Sequence, residues 1–562
     1  MNMKTKGTIL RRNISGKEYY YHKYLLGGKQ VNEILTEEEA YGMAFKLNFK
    51  GDDIAEFLNH DFNLNIAYGE MLYKLGKPYR GYEKRFCYAD IDDFLNNSYP
   101  GKVLALFGLR RTGKTTLMLQ SINGFSMKQF GQTAYIKCNN GETVYQLLED
   151  LKYLTNNGFN YIFIDEVTQL EDFVKLSSTI SDIYGLMAKI VLSGADSLGF
   201  LIASYHELYD RIKMVHTTYI SFKEFSHVLG IQSIDQYIEY GGTMSLEGVD
   251  YNKTIGVGAY SINEYVDSSI IHNIIHSLKS VDNGKYFFHL FELYERNELE
   301  NVINRIIEDA NHRFAISVIE QDFKSHDYGS LKQLLSLPRN YEKFGTVLDG
   351  VNEKKLVDDL MDALNIINKE KQTYQVDQDV LLELEEYLKR VDVIAEVDEV
   401  IYPSYSTRKR IIFTQPGLRY SQAKTLVEIL LNDPKLKQYD NKIISAVREK
   451  LLSDVKGKMV EDIILYDATL KNENTFKMYF GIEGEFDMAM LFPNENYADI
   501  FEIKYSTAVD KNQYKHLINP KLIQLFEEKY DSIKCRTVLY RGEDTETEEG
   551  IIYQNIEEYL QR

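Results

Sequence analysis

Residues 108–116, GLRRTGKTT, have the types and spacing that bind the phosphates of a nucleotide. They fit the pattern Gly-x-x-x-x-Gly-Lys-Thr between an apolar run and a helical pattern, which is the context that a phosphate-binding loop requires. Glycines let backbone N–H groups approach phosphate oxygens, Lys114 would reach the β- and γ-phosphates, and the Thr115 hydroxyl would bind Mg²⁺. The predicted nucleotide-binding residues are Gly108, Arg111, Thr112, Gly113, Lys114, Thr115, Thr116 and Asp165.

Three further positions complete this predicted site. YIFIDE ends in two carboxylates, of which Asp165 is expected to hold Mg²⁺ and Glu166 to polarise the attacking water as general base. Ser193, at the end of KIVLSG, would sense the γ-phosphate or align the water; the alternative is an ordinary turn serine. Arg211, in ELYDRIK, is either an arginine finger or a surface arginine.

A second set of acidic residues lies in GEFDMAMLF and ADIFEIKYS. Glu502 and Lys504 are two apart on a strand pattern and share a face, while PNENYAD predicts a hairpin that brings Asp487 beside them. Two carboxylates suit Mg²⁺ or Mn²⁺, and an adjacent lysine can activate water for attack on phosphorus. Glu461, on the amphipathic segment MVEDIIL, is expected to add a carboxylate from a helix. Ordinary surface ion pairs are the alternative.

The elements that position these residues follow from periodicity. From about residue 100 to 220, strand patterns alternate with helical ones, which predicts an α/β fold with a parallel sheet covered on both faces. Residues 221 to about 400 are mostly helix-patterned, and strands return near the end. Residues 1–35 predict short strands, after which Thr36 and Glu39 predict a capping box that begins a helix.

The order GLRRTGKTTL, YIFIDE, VLSGADS and YDRIKMVHTTYISFKEF resembles a prokaryotic branch of AAA-type, archaeal-ATPase-like P-loop ATPases of the STAND/ASCE class. Gly241-Gly242 stands where the family has a Gly-Gly-x-Pro turn, although the proline is missing, and FTQPGLR at 413–419 resembles a later piece. Asp210-Arg211 departs from the family's Gly-Arg element. The resemblance, over roughly 85–520, implies an ASCE-type P-loop core, a helical extension, a winged-helix region and a nuclease-like domain.

The arrangement of Asp487, Glu502 and Lys504 resembles the PD-(D/E)xK nuclease site. That resemblance implies that the two carboxylates bind metal and that Lys504 assists catalysis. Glu461 matches the helical glutamate of such domains, and Gln513 stands where they often have a glutamine. The resemblance leaves open that the domain has a nuclease fold but serves only for docking a partner.

Five domains are therefore predicted, in chain order. They are a small stranded N-terminal module (1–84), the P-loop NTPase core (85–230), a helical extension (231–335), a winged-helix-like region (336–435) and an α/β nuclease-like domain (436–562). The N-terminal module resembles the arm-type DNA-binding domains of phage integrases, and a small docking domain is the alternative. Arg408, Lys409 and Arg410 are expected at the tip of a wing, either contacting phosphate or forming a solvated basic turn.

Composition sets limits on partners and compartment. The net charge of −19 argues against binding nucleic acid through a generally basic surface but allows local basic patches. No apolar stretch is long enough for a membrane span, the N-terminus has no signal-like apolar region, and Cys87, Cys138 and Cys535 fit no disulfide or zinc spacing. We therefore expect a cytoplasmic protein without membrane contact.

The predicted function is that of an ATP-hydrolysing regulatory ATPase coupled to a metal-dependent DNA-processing domain, of mobile-element or defence type. ATP and Mg²⁺ are the expected cofactors, with Mg²⁺ or Mn²⁺ at the nuclease-like site, and DNA, a protein partner and oligomerisation are considered. The rival hypothesis is a signalling ATPase switch whose inactive nuclease-like domain docks a protein partner.

Overall fold

A computed structural model describes residues 7–15, 17–49, 53–194, 210–244, 287–296, 298–324, 355–356, 358–364 and 377–562, with single residues at 200, 270 and 274. The chain divides into two compact units. The first contains Met1–Thr218 and Ser268–Tyr294, and the second contains Tyr219–Asp267 and Glu295–Arg562.

The first unit begins with an antiparallel sheet of three strands, β1 (Thr8–Ile14), β2 (Lys17–Leu26) and β3 (Lys29–Leu35). Helix α1 (Glu37–Lys46) follows. The predicted capping box is confirmed, because the Thr36 hydroxyl accepts from the Glu39 N–H and the Glu39 carboxylate accepts from the Thr36 N–H. One face of the sheet packs on α1 through buried aromatic side chains.

The main sheet of the first unit has six strands: β4 (Asn65–Ala67), β5 (Val103–Phe107), β6 (Thr133–Lys137), β7 (Tyr161–Asp165), β8 (Lys189–Gly194) and β9 (Ile212–His216). Their spatial order is β4-β6-β7-β8-β5-β9, and every neighbouring pair is parallel except β4 with β6. The helices of this region are α2 (Asp53–Leu58), α3 (Gly69–Gly76), α4 (Tyr88–Asn96), α5 (Lys114–Asn123), α6 (Met127–Gly131), α7 (Val144–Asn156) and α8 (Phe173–Thr179). The predicted parallel α/β sheet is thus confirmed.

This strand order brings the predicted motifs together. Strand β8 lies between β5, which precedes the phosphate loop, and β7, which ends in Asp165. The carboxyl ends of parallel strands meet at one edge, so the loop, Asp165 and the end of β8 are adjacent although they are far apart in sequence.

The second unit is built on a mixed sheet of eight strands: β10 (Ile394–Ile401), β11 (Ser406–Phe413), β12 (Thr475–Tyr479), β13 (Glu485–Phe492), β14 (Tyr497–Ile503), β15 (Ile533–Tyr540), β16 (Thr545–Glu546) and β17 (Ile552–Asn555). Their spatial order is β11-β10-β12-β13-β14-β15-β17-β16. The other helices that the structure describes are α9 (Phe222–Leu229), α10 (Ile234–Tyr240), α11 (Phe288–Glu295), α12 (Leu299–Lys324), α13 (Gln378–Arg390), α14 (Pro416–Leu431), α15 (Asn441–Lys471), α16 (Pro520–Glu527) and α17 (Ile556–Gln561). All of them belong to the second unit except α11, which lies in the first unit up to Tyr294.

The hairpin β10–β11 belongs to this C-terminal sheet, because β10 pairs in parallel with β12. The sheet therefore crosses the boundary predicted between 336–435 and 436–562. The expected basic wing tip is wrong: Arg408, Lys409 and Arg410 lie within strand β11 and pair with carboxylates on β10. Of the predicted winged-helix-like region, 336–354, 357 and 365–376 lie outside the described residues.

Candidate functional site

The phosphate loop connects β5 to α5 through backbone conformations that its residues select. Gly108 and Gly113 have φ values of 141° and 89°, and Arg111 also has a positive φ, of 65°. A Cβ atom on Gly108 would lie 2.6 Å from the Thr217 hydroxyl and 2.9 Å from the Thr218 nitrogen. Glycine is therefore required there both by the backbone conformation and by the close approach of the segment after β9.

Lys114 begins helix α5 and is buried. Its Nζ atom donates hydrogen bonds to the carbonyl oxygens of Gly108 at 2.8 Å and Leu109 at 2.7 Å. Burial lowers the pKa of Lys114 to about 8, against the opposing attraction of Glu166 and Asp165. The ammonium is thus held over the loop, near the N-terminus of a helix, where phosphate oxygens bind.

Asp165 is a buried carboxylate at the end of β7. Its oxygens accept hydrogen bonds from the hydroxyls of Thr115 at 2.9 Å, Tyr135 at 2.6 Å and Ser193, and from the Lys137 ammonium at 2.9 Å. Burial raises the pKa of this carboxyl, but the Lys137 charge and these hydrogen bonds outweigh it, so the pKa lies below its usual value. Asp165 therefore stays ionised.

The pairing of the Thr115 hydroxyl with the Asp165 carboxylate suits a hard divalent cation. Hydroxyl and carboxylate oxygens are the donors that Mg²⁺ accepts in nucleotide sites. The chemistry of the donor pair therefore fits the Mg²⁺ that accompanies ATP.

The other predicted residues of the loop take distinct positions. Thr112 is buried, and its hydroxyl bonds to the Leu109 carbonyl at 2.9 Å and to the Thr217 hydroxyl at 2.7 Å, so it braces the loop. Arg111 is exposed and Thr116 is half-buried. Glu166 follows Asp165 in a left-handed conformation, with φ of 57°, and its N–H points to the Ser193 oxygen at 3.4 Å.

Arg211 does not join this site within its own chain. It directly precedes β9, whose first residue, Ile212, is paired with Val103 at the start of β5, whereas the phosphate loop follows the other end of β5. Five residues of strand span roughly 16 Å. The Arg211 guanidinium instead pairs with Asp182 at 2.8 Å. Within this chain, Arg211 is therefore a surface arginine in an ion pair and does not act as a finger at its own phosphate loop.

Sequence reasoning missed Arg85, which is buried behind the loop. Its Nη1 atom donates to the carbonyl oxygens of Thr112 at 2.7 Å and Thr217 at 2.6 Å, and so ties the loop to the segment after β9. Thr218 adds a hydroxyl that accepts from the Leu109 N–H at 3.1 Å. No local pattern marks Arg85, because its partners are main-chain oxygens distant in sequence.

A match to a protein-family model agrees with this geometry. Residues 100–226 match the family model of an AAA domain. The first unit thus contains an AAA-type P-loop ATPase domain, which implies nucleotide binding. No curated protein matches the sequence. Among solved structures, the Walker-type ATPase of Pyrococcus abyssi is similar at a TM-score of 0.27 and 13% identity, covering 61% of this chain and 95% of that one.

The second predicted site lies in the C-terminal sheet, where β13 and β14 pair as expected. Asp487 accepts hydrogen bonds from the Ile503 N–H and the Lys504 ammonium, both at 2.9 Å, and Lys504 also donates to Glu502 at 2.5 Å. Both carboxylates are buried. The structure therefore brings Asp487, Glu502 and Lys504 together.

The two carboxylates differ in their affinity for a proton. Burial and the neighbouring Asp487 charge raise the pKa of Glu502 to about 7, although His516 and Lys504 oppose the shift. Burial also disfavours ionised Asp487, but Lys504 and Lys477 outweigh it and hold its pKa well below the usual value. Like charges this close do not both ionise easily without a further cation. A divalent cation would replace the proton of Glu502.

Lys477 is a second buried lysine of this cluster, which sequence reasoning missed. Its Nζ atom bonds to Glu485 at 2.9 Å and Asp487 at 3.2 Å, and lies 3.5 Å from Glu461. The predicted helical carboxylate, Glu461, is thus near the cluster, where it also pairs with Lys458. Within the described residues, no group of three or more His, Cys, Asp or Glu side chains is arranged to hold a metal. Asp487 and Glu502 thus lie together around Lys504, and Glu461 does not join them in such a group.

A cavity of about 420 Å³ opens onto this cluster. Its wall includes Lys504, Glu461, Glu485 and Gln513. Gln513 accepts a hydrogen bond from the Tyr553 hydroxyl at 3.0 Å, which fixes its side chain at the cavity edge. Lys504 thus faces the cavity, whereas the buried Asp487 and Glu502 lie behind it and are not among the lining residues.

No helix among the described residues has the length and apolarity needed to cross a membrane.

Proposed function

We propose that this protein hydrolyses ATP in its AAA-type domain and uses the nucleotide state to control a metal-dependent DNA-processing site in the second unit. The proposal of ATP hydrolysis depends on the contact of Thr115 with Asp165 beneath a loop closed by Lys114. The second half depends on the contact of Asp487 and Glu502 with Lys504, which lines a cavity.

At the ATPase site, Lys114 binds the β- and γ-phosphates after releasing the loop carbonyls, and the loop N–H groups hold the remaining oxygens. Glu166 takes the proton of the attacking water, and Ser193 keeps Asp165 and the Glu166 backbone in position. Mg²⁺, held by Thr115 and Asp165, would supply charge neutralisation at the phosphates.

At the nuclease-like site, Asp487 and Glu502 provide oxygen ligands for Mg²⁺ or Mn²⁺, which supplies Lewis-acid chemistry when bound. Lys504 contacts both carboxylates, so its ammonium lies where it orients water and a phosphodiester oxygen. Lys477 donates to the other oxygen of Asp487 and so helps to balance the buried negative charge.

The coupling between the sites is supported by the segment that leaves the phosphate loop. Thr217 and Thr218 bond to the loop, and Tyr219 is the next residue in the chain. Within the second unit, the Ile220 carbonyl accepts from the Tyr237 hydroxyl at 2.6 Å, which connects this segment to helix α10.

Asp235 on α10 then contacts the nuclease-like site. It accepts hydrogen bonds from the hydroxyl of Tyr505, the residue after Lys504, from Arg541 at 2.6 Å and from Lys456 at 3.2 Å. Movement of α10 on ATP binding or hydrolysis would therefore shift Tyr505 and the adjacent Lys504. This is a physical route by which the loop would control the second site.

The nuclease half is tested by incubating the full chain with linear and supercoiled DNA in Mg²⁺ or Mn²⁺. Wild type should cleave and Asp487→Asn should not. Asp499→Asn, which changes a half-buried carboxylate of the same sheet outside the cavity, is the matched control and should cleave like wild type. Absence of metal-dependent cleavage, or equal cleavage by Asp487→Asn, would refute this half of the proposal.

Protein docking is the second candidate function of the nuclease-like domain. It is favoured by the ion pairs that already satisfy Asp487 and Glu502, and by the acidic net charge. On this alternative, no metal would bind, and the DNA assay would show no cleavage under any condition.

A further inference from the structure

Lys137 is a second lysine at the ATPase site, and it belongs to none of the predicted motifs. It is the last residue of β6 and is paired in register with Asp165 on the neighbouring strand β7. Its ammonium forms an ion pair with the Asp165 carboxylate at 2.9 Å. Lys137 is therefore part of the site, although it lies outside the phosphate loop in sequence.

The Oδ2 atom of Asp165 has more hydrogen-bond donors than lone pairs. It accepts from the Thr115 hydroxyl at 2.9 Å, from the Tyr135 hydroxyl at 2.6 Å and from the Lys137 ammonium at 2.9 Å. A carboxylate oxygen offers about two lone-pair sites. Binding of Mg²⁺ to this oxygen, or of a water carried by Mg²⁺, therefore requires one of the three donors to leave.

Lys137 is the donor that is able to leave. The Tyr135 side chain is buried, and Thr115 is held in the first turn of helix α5. The Lys137 side chain is 42% exposed and has a flexible unbranched stem. Like charges repel, so a divalent cation at Asp165 also drives the ammonium away, whereas the two hydroxyls carry no charge.

Phosphate oxygens lie within reach of the displaced ammonium. Lys137 Nζ and the Thr115 hydroxyl are each 2.9 Å from the same Asp165 oxygen, so they lie within about 6 Å of each other. Thr115 is in the first turn of α5, where the helix N-terminus favours phosphate. A lysine ammonium binds phosphate as a compact point charge.

We propose that Lys137 is a γ-phosphate-binding residue, held on Asp165 until the arrival of Mg²⁺ and ATP releases it. Because ADP has no γ-phosphate, the released ammonium gains its new partner only when ATP is bound. Lys137 thus helps the site to distinguish ATP from ADP. The inference rests on the proposed ATP hydrolysis and names a further residue that recognises its substrate.

Nucleotide affinity is measured by titration calorimetry of the full chain in saturating Mg²⁺, with ADP and with AMP-PNP, an ATP analogue that resists hydrolysis. Lys137→Met removes the ammonium and keeps an unbranched side chain. This variant should bind AMP-PNP about tenfold or more weakly, because one hydrogen bond between charged groups is lost. It should bind ADP at least as tightly as wild type.

Metal affinity should change in the opposite direction. Without the competing ammonium, Mn²⁺ should bind the ADP complex of Lys137→Met at roughly tenfold lower concentration than the wild-type complex, measured by electron paramagnetic resonance. Damage to the fold would instead weaken the binding of both metal and nucleotide. Lys137→Arg retains the charge and should preserve the preference for AMP-PNP. Lys152→Met, at an exposed position of α7, is the matched control and should bind both nucleotides and Mn²⁺ like wild type.

An unchanged or higher Mn²⁺ requirement in Lys137→Met would overturn the inference, as would equal losses of affinity for ADP and AMP-PNP. A wild-type protein that binds neither nucleotide would refute the ATPase proposal and this inference together. Normal nucleotide binding by wild type with no response to Lys137→Met would refute this inference alone.

Discussion

Replacement of Glu502 by Gln should stabilise the metal-free protein at alkaline pH. The pKa of Glu502 is raised to about 7 by burial and by Asp487, whereas the unfolded chain has a glutamate pKa of 4.5. Between these values the unfolded state binds fewer protons, so the free energy of unfolding falls as pH rises. The wild-type penalty is about 1 kcal/mol at pH 5 and about 3 kcal/mol above pH 8.

Gln at 502 still offers an oxygen to Lys504 but never ionises, so Glu502→Gln lacks this penalty. In calorimetry of the full chain in EDTA, the unfolding transition that this substitution affects should lie roughly 5–10 °C above that of wild type at pH 8.5. The difference should be smaller at pH 5. Mn²⁺ should raise the wild-type transition at pH 8.5 and leave that of Glu502→Gln unchanged. Glu473→Gln, at an exposed position, is the control and should leave the unfolding temperature unchanged.

A pH-independent difference between wild type and Glu502→Gln would refute the assignment of a strained buried carboxyl at this position. Equal effects of Mn²⁺ on both proteins would refute Glu502 as a metal ligand.

Three further predictions concern the ATPase domain. Lys114 has a pKa of about 8, and bound phosphates would raise this pKa, so ATP binding should take up a proton at pH 8.5 but very little at pH 7. Calorimetric titration in buffers of different ionisation enthalpy measures the proton uptake, and no uptake at pH 8.5 would contradict the prediction. Glu166→Gln should bind ATP normally and hydrolyse it at least about 100-fold more slowly; near-normal turnover would exclude it as general base. Gly108→Ala should weaken ATP binding, because its Cβ would collide with Thr217 and the Thr218 nitrogen; unchanged affinity would show that the loop can relax.

The sequence predicts the strands and loops correctly in those parts of the fold where the local hydrophobic pattern and a motif agree. The loop at 108–116, the strand ending in Asp165 and the hairpin carrying Asp487 and Glu502 all have the elements that their spacing predicts. In each case, the chemistry depends on residues that lie directly at the end of, or within, a strongly apolar strand.

Long-range pairing accounts for what the sequence did not reveal. Period-two alternation predicts that 394–413 form two strands, but it does not indicate that β10 pairs with β12, more than 70 residues later. For the same reason Arg410 was assigned to a wing, whereas it pairs with Asp462 of helix α15 at 2.5 Å.

The same limit applies at the sites. Arg85 and Lys477 hold their partners across different elements, and nothing in their local sequence marks them. Arg211 shows the same limit: its motif context left an arginine finger and a surface arginine as alternatives, and the pairing of β9 with β5 places it at the end of the sheet away from the phosphate loop.

We propose that nucleotide bound at the phosphate loop controls the site around Lys504. The most direct test is the rate of Mg²⁺-dependent DNA cleavage with and without ATP, for wild type and Lys114→Ala. We predict that ATP changes the rate in wild type, that it has no effect in Lys114→Ala, and that the two proteins cleave equally without nucleotide. An ATP effect of the same size in both proteins, or none in wild type, would contradict the coupling.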